Sequence, residues 1–345
     1  MDTLIKKGDS QIDYWQNKEK LSYFLAILVF LIHISTFGNY TDLNSDVINV
    51  IEYLSDTITL VAVPLFFIVS AATFFRNYSP ETCLTKLRSR LHSLVLPFFL
   101  WNIIGMLFDM LTTLFLKEYF VGRPPFDFSF EGILLGIFHY QNNRVFWFIF
   151  NIICFIAISP VIYKIMRTKT GAFTTLILVY VLFCFDIKIP SCVFFESQSI
   201  IYWLVGALIG IHYFPSLCKS NSKCFYLSLC GLVFSIVAIL FFSEIRIRIP
   251  VLIVFSLSLY WVFAAVSYRI PSRPFMKHSF WVYALHMNVS AVITKLLVLS
   301  LPHSECFAII NYVVTIILTL YTIELLTGIC KRISPKLYSA LSGSR

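Results

Sequence analysis

Two imidazoles are set into otherwise apolar stretches of this chain. His33 lies in LSYFLAILVFLIHISTFGNY (residues 21–40), and His286 lies in SFWVYALHMNV (279–289). Imidazole is the side chain whose ordinary pKa stands nearest neutrality, so either ring could serve as general base or general acid. An ionisable group inside a membrane segment is a functional candidate by default. The plainer role for one buried histidine is a hydrogen bond to a neighbouring helix, and His33 taken alone is compatible with both. Counted from the start of its apolar run, His33 is expected roughly 18 Å along a helix at about 1.5 Å per residue, near mid-bilayer.

Other groups could join it. VPLFFIVSAATFFRN (63–77) brings Pro64, which would kink a helix or free a carbonyl, and the hydroxyl of Ser70. It runs into RNYSPETCLTKLRSRLHSLVLPFFLWN, a basic loop with Arg76, Lys86, Arg88 and Arg90. Guanidinium forks suit the phosphates of a nucleotide-bearing donor, although membrane topology alone also places basic residues in such loops. Asp109 and Glu324 are expected as buried acids, and Lys295 is expected to snorkel or pair. Gly206 and Gly210 form a small-xxx-small pair, a helix-packing face. None of these spacings specifies a reaction.

Such groups need long apolar elements to hold them. Of 345 residues, 58% are hydrophobic and 13% charged, too little polar surface to cover the core of a soluble protein this large. Apolar runs fall at roughly 21–40, 56–76, 92–116, 145–165, 172–188, 199–214, 223–242, 250–268, 280–300 and 306–327, about ten transmembrane helices. EGILLGIFHY (131–140) is too short to span and reads as a re-entrant or interfacial piece. The alternation of an outer-membrane barrel is absent. The expected fold is all-α, a polytopic integral membrane helical bundle.

Lysine and arginine placement orients that bundle. Lys6, Lys7, Lys18 and Lys20 precede the first span, and Arg76, Lys86, Arg88 and Arg90 follow the second. Lys164, Arg167, Lys169, Lys219, Lys223, Arg269, Arg273 and Lys277 fall in later loops of the same side, with Lys331, Arg332, Lys336 and Arg345 in the tail. The opposite loops hold only Lys117, Arg123, Arg144, Lys188, Arg246 and Arg248. Both termini are therefore expected in the cytoplasm, and the inner face accounts for the +9 net charge without nucleic acid. The first span is expected to be retained, since no small-residue cleavage site precedes Asp42. Nine cysteines are scattered without a CxxC pair, pointing to neither a metal site nor a disulfide framework; Cys192 and Cys306 alone fall near the outer face. With no linker and no internal repeat, residues 1–345 read as a single domain, with a cytoplasmic N-terminal segment (1–20) and a cytoplasmic tail (328–345).

In chain order, these stretches resemble the membrane-bound acyltransferase-3 family, whose members O-acylate sugars and other extracytoplasmic acceptors. VFLIH is similar to the end of the family's first helix, and the family histidine falls on His33. VPLFFIVSAATFF matches a second element at Pro64, Phe66, Phe67 and Ser70, and RLHSLVLPFFLWN a third at Arg90, Pro97 and Trp101. FWFIFNIICFIAISPVIY resembles a further span through Trp147, Phe148, Ser159, Pro160 and Tyr163, and SFWVYALHMNV a near-terminal one through Tyr283 and His286. The chain departs from the pattern where the family carries an arginine eleven residues before the histidine. Here that position is Ser22, so Lys18, Lys20 or a cytoplasmic arginine is expected to substitute. Ala71 replaces a family glycine, and Met287 and Asn288 displace a proline.

The resemblance implies an O-acyltransferase, foremost an O-acetyltransferase, of the bacterial cytoplasmic membrane. Cytoplasmic acyl-CoA, acetyl-CoA above all, would be the donor substrate, with its phosphates near Arg76, Arg88, Arg90 and Lys18; no cofactor is bound permanently and no metal is expected. His33 would deprotonate a hydroxyl of an extracytoplasmic glycan or glycolipid, with Ser70, Pro64, Trp147, Tyr283 and His286 shaping the cavity. Trp147 and Trp203 are expected to stack on sugar faces. The rival is a polysaccharide transporter or polymerase without acyl transfer, kept open by Arg123 and Arg144 around the 117–144 loop.

Overall fold

The computed structural model describes residues 14–34, 36–43, 45–118, 124–185, 198–217, 222–242, 244–267 and 269–343, and every regular element among them is helical. Lys6, Lys7, Arg123, Lys188, Cys192, Lys219 and Arg345, named above, lie outside the described residues.

Helix α1 (Tyr14–His33) stops at His33, so the histidine closes the helix instead of sitting in its middle. Helices α2 (Asp46–Thr59) and α3 (Ala62–Phe75) are divided by a short break. Pro64 accounts for it: the ring has no N–H for the carbonyl of Leu60 and collides with it. The second apolar segment accordingly runs from Asp46, ten residues before the expected start. Helix α4 (Pro80–Phe115) also starts early, so Lys86, Arg88 and Arg90 stand on a helix and not on a loop. Helix α5 (Phe130–Phe138) is short; Ser129 caps it, accepting from the Gly132 N–H. Helices α6 (Trp147–Ala157) and α7 (Ser159–Met166) bend by 61° at Ile158. Pro160, in the first turn of α7, cannot continue the ladder of α6.

The chain continues through α8 (Lys169–Cys184), α9 (Ser199–Leu208), the short α10 (Phe214–Leu217), α11 (Ser222–Phe241), α12 (Ile245–Ser267), α13 (Ser279–Ser300), α14 (Glu305–Ile333) and α15 (Pro335–Leu341). Eight stretches among the described residues are long and apolar enough to cross a membrane, nine if the bent pair counts as one span, and α8 is a further apolar helix. This is a polytopic membrane helical bundle.

Two compact units are formed. The first comprises Met1–Leu25, Thr57–Arg88 and Cys154–Lys277. At its centre α3 packs against α9, where a Cβ on Gly206 would stand 2.6 Å from that of Ala71, and one on Gly210 2.7 Å from the carbonyl oxygen of Ala72. Only glycine lets the backbones come this close. Trp203 is fully buried there against Phe74, Phe75 and Phe155.

The second unit comprises Ala26–Asp56, Ser89–Ile153 and His278–Arg345. Its α13 and α14 pack as neighbours, and α15 is anchored by two tryptophans that meet edge to face at 5.1 Å. Trp101 Nε1 donates to the carbonyl of Leu341 (3.0 Å) and Trp281 Nε1 to Ser342 Oγ (2.8 Å). The segment expected as a tail from residue 328 is therefore mostly helix docked on this unit.

Candidate active site

The second unit holds a cavity of about 670 Å³ whose lining includes His33. One wall is the segment Gln141–Asn142–Asn143–Arg144, and α4 is built to hold it. Trp101, Gly105 and Asp109 recur every four residues, so they share one helix face. Asn142 Nδ2 donates to Asp109 Oδ2 (2.9 Å), and Asn143 Nδ2 to the carbonyl of Trp101 (3.3 Å). Between them Gly105 clears the space, because a Cβ there would come within 3.0 Å of the Asn143 Cβ. From α13, the Tyr283 hydroxyl donates to the carbonyl of Val145. This irregular backbone is tied down from two helices, the condition under which non-helical chain is tolerated among apolar segments.

His33 and His286 are brought together. Their rings stack at 5.5 Å between centroids and 24° between planes. His286 is fully buried, with Phe30 and Tyr283 around it. Its Nδ1 lies 3.1 Å from the carbonyl of Val282; a carbonyl only accepts, so that nitrogen carries the proton in this tautomer. Nε2 is then an acceptor, with no partner among the described residues. His33 is half-buried and borders the cavity directly.

The chain leaving His33 is held by a polar ladder. Thr36 Oγ1 lies 3.4 Å from Thr294 Oγ1, which lies 3.4 Å from Thr315 Oγ1. Thr315 donates to Asn311 Oδ1 (2.9 Å), and Asn311 Nδ2 donates to the Tyr40 hydroxyl (3.1 Å). Beside this ladder Lys295 Nζ donates to Asn39 Oδ1 (2.9 Å), so this lysine pairs with an amide and both line the cavity. On the rim, the Ser129 N–H and hydroxyl both donate to Asp127, holding its carboxyl below the usual range.

The remaining expected site residues fall elsewhere. Pro64 and Ser70 stand on α3 in the first unit, buried and half-buried respectively. In that unit the Arg76 guanidinium lies over Phe214 (4.8 Å), and the Lys86 ammonium donates to the carbonyls of Phe74 and Arg76, capping the C-terminus of α3. Arg88 is exposed; Arg90, two residues on, is half-buried and belongs to the second unit. On α1, Lys18 and Ser22 are half-buried, whereas Lys20 is buried and donates to the carbonyl of Ser267 (2.9 Å). Trp147 opens α6, half-buried and away from the cavity lining.

Two expectations need correction. Trp203 cannot stack on a sugar, because aromatic rings already enclose it. Glu324 is not buried: its side chain is 45% exposed and accepts from His278 Nδ1 at 2.7 Å. Asp109 is buried as expected. Cys306 is a free thiol.

Sequence reasoning looked for aromatics around the acceptor and missed the amides. Among the described residues the cavity is lined by Asn39, Gln141, Asn142, Asn143 and Asn288, and by no Phe, Tyr or Trp. The usable signal was the polar run QNNR directly before an apolar helix. No group of three metal-binding side chains converges among the described residues.

Among the described residues, an all-helical multi-pass bundle with a polar, histidine-bearing cavity defines the class as an integral membrane protein. A family model described as an acyltransferase domain matches residues 23–324, so the chain belongs to the acyltransferase-3 family and is an acyltransferase. No curated protein and no solved structure matches the chain.

Proposed function

We propose that this acyltransferase moves an acyl group, foremost acetyl, from cytoplasmic acyl-CoA to a hydroxyl of an extracytoplasmic glycan, with His33 as general base. The observation that carries this reading is His33 itself, an imidazole on the wall of a polar cavity in the second unit. The acceptor hydroxyl enters the cavity among the amides and gives its proton to His33. Its oxygen attacks the thioester carbonyl, the tetrahedral intermediate collapses, and the thiolate of CoA leaves and takes the proton back. His286 supports the His33 ring from behind, with Tyr283 beside it. Arg90, in the same unit as His33, is the basic residue that meets the donor phosphates in this reading.

In this reading the chain works as one acyltransferase domain over residues 1–345. Ten helices cross the bacterial cytoplasmic membrane, counting α8 and the bent pair, and both termini are cytoplasmic. The positive-inside bias and the apolar character of α8 support that topology.

The test is transfer of radiolabelled acetyl from acetyl-CoA in proteoliposomes. His33→Ala and His33→Gln should each lose at least about a hundredfold in rate, the usual worth of a positioned base, with unchanged thermal unfolding. Acetylation at the parent rate by either variant removes His33 from the reaction.

A further inference from the structure

The charged residues lining the cavity number two acids, Asp109 and Asp127, and two bases, Arg144 and Lys295. By count the lining is neutral, but the two signs are not equally committed. Asp109 Oδ2 accepts from Asn142, and both oxygens of Asp127 accept from Ser129. Three of the four carboxylate oxygens thus accept from donors of their own unit, and the fourth, Asp109 Oδ1, is buried and not presented to the cavity. Lys295 is half-buried, yet uses one of its three N–H groups, on the neutral Asn39 Oδ1 (2.9 Å), and no carboxylate pairs with it among the described residues. Arg144 is exposed on the rim, and its guanidinium has no partner among the described residues.

A half-buried ammonium with spare N–H donors on a cavity wall is a ready contact for an anion, since charge-assisted hydrogen bonds are the strong ones. Two cations with spare donors therefore border the cavity that also exposes His33. We propose that this cavity takes an anionic acceptor, a glycan carrying a carboxylate or phosphate near the hydroxyl that is acylated. The inference rests on the acyl-transfer reading for the hydroxyl's fate, but not for the anion's binding. Lys295, on α13, meets the anion as a point charge, and Arg144, on the 141–144 wall, offers a bidentate fork. Gln141, Asn142 and Asn288 line the same cavity, and carboxamides suit the neutral hydroxyls of the ring.

The experiment uses the full chain in nanodiscs of phosphatidylcholine and measures binding of D-glucuronate, D-glucose 6-phosphate and D-glucose by calorimetry, without acetyl-CoA. At least one anionic sugar should bind about tenfold or more tighter than glucose, and whichever does so names carboxylate or phosphate as the source. Lys295→Gln combined with Arg144→Gln should bring that sugar to the level of glucose, while Lys117→Gln, outside the lining, should change nothing. Equal binding of all three sugars, or a preference surviving in the double variant, overturns the proposal. If the double variant does not fold, Arg144→Gln alone, at an exposed position, must still reduce the preference. Acetyl transfer to the same sugars separates the two readings. Transfer with no selectivity for the anion defeats this inference alone, and selective binding without any transfer defeats the acyl-transfer reading alone.

Discussion

The two units solve the same packing problem with different chemistry. In the first, α3 and α9 approach until only glycine fits, and the space around Trp203 is filled by phenylalanines. Lipid tails are as apolar as these side chains, so the gain comes from close van der Waals contact and not from water release. In the second, buried threonines, the buried Asn311 and the half-buried Lys295 join the segment after His33 to α13 and α14, and irregular backbone at 36–43 and 139–146 is held by side chains. A close-packed glycine seam leaves no room for a substrate. A polar ladder leaves groups that can meet one, and the cavity with His33 lies in the unit that has it.

That contrast predicts where a substitution removes chemistry and where it removes the fold. The largest effect is the loss of transfer in His33→Ala, about two to four orders of magnitude with the helical bundle intact. Next comes Gly206→Val. Its new side chain would run into the Ile68 carbonyl and Ala71, and overpacking against backbone costs about 1–3 kcal/mol or more. The yield and melting temperature of the purified protein should fall, whereas Gly328→Ala on α14, with nothing within 4 Å, should leave both unchanged.

A smaller loss is expected for Asn311→Leu, which breaks the ladder at two hydrogen bonds. Only the bond to Tyr40 joins separate segments, the one from Thr315 lying within α14; bonds between membrane segments are worth about 0.6 kcal/mol each on average, so melting should shift by a few degrees at most. A collapse as deep as that of Gly206→Val would show that the polar unit depends on its ladder as strongly as the other depends on its seam.

The smallest effect concerns Asp42, exposed beside His303 Nε2 at 2.8 Å. The hydrogen bond from His303 holds the Asp42 carboxyl below its usual range. A depressed carboxyl stabilises the fold above its unfolded pKa, about 3.9, and loses that contribution as pH falls through the lower folded value. Asp42→Asn should therefore lower melting slightly between pH 5 and 7, where the contribution is present, and converge with the parent as pH falls below about 4, so that its acid decline is flatter.

Much of this was legible in the chain. Helix positions follow from apolar length, because a membrane span must satisfy its backbone internally and the composition shows where that happens. Pro64 marked a real break for the reason it can be read at all, a missing N–H, whereas 145–165 read as one span and the structure bends it by 61° before Pro160. His33 and His286 were visible as imidazoles among apolar residues, and the family motifs assigned acyl transfer. The helix ends were less legible: α4 reaches back over its basic residues because nothing in a run such as ETCLTKLRSR forbids a helix.

The roles of individual polar residues were settled only by tertiary structure. Asn142 differs little from any other asparagine until Asp109, thirty-three residues away, holds its amide. Lys20 and Lys295 are both lysines near helix ends, yet one is buried on a backbone carbonyl and the other borders a cavity. Trp203 looked like a stacking surface and is packed shut. Sequence by itself determined which segments leave water, since that depends on the summed transfer energy of neighbouring residues. Which polar group meets which depends on contacts between distant segments, and only the folded chain brings those together.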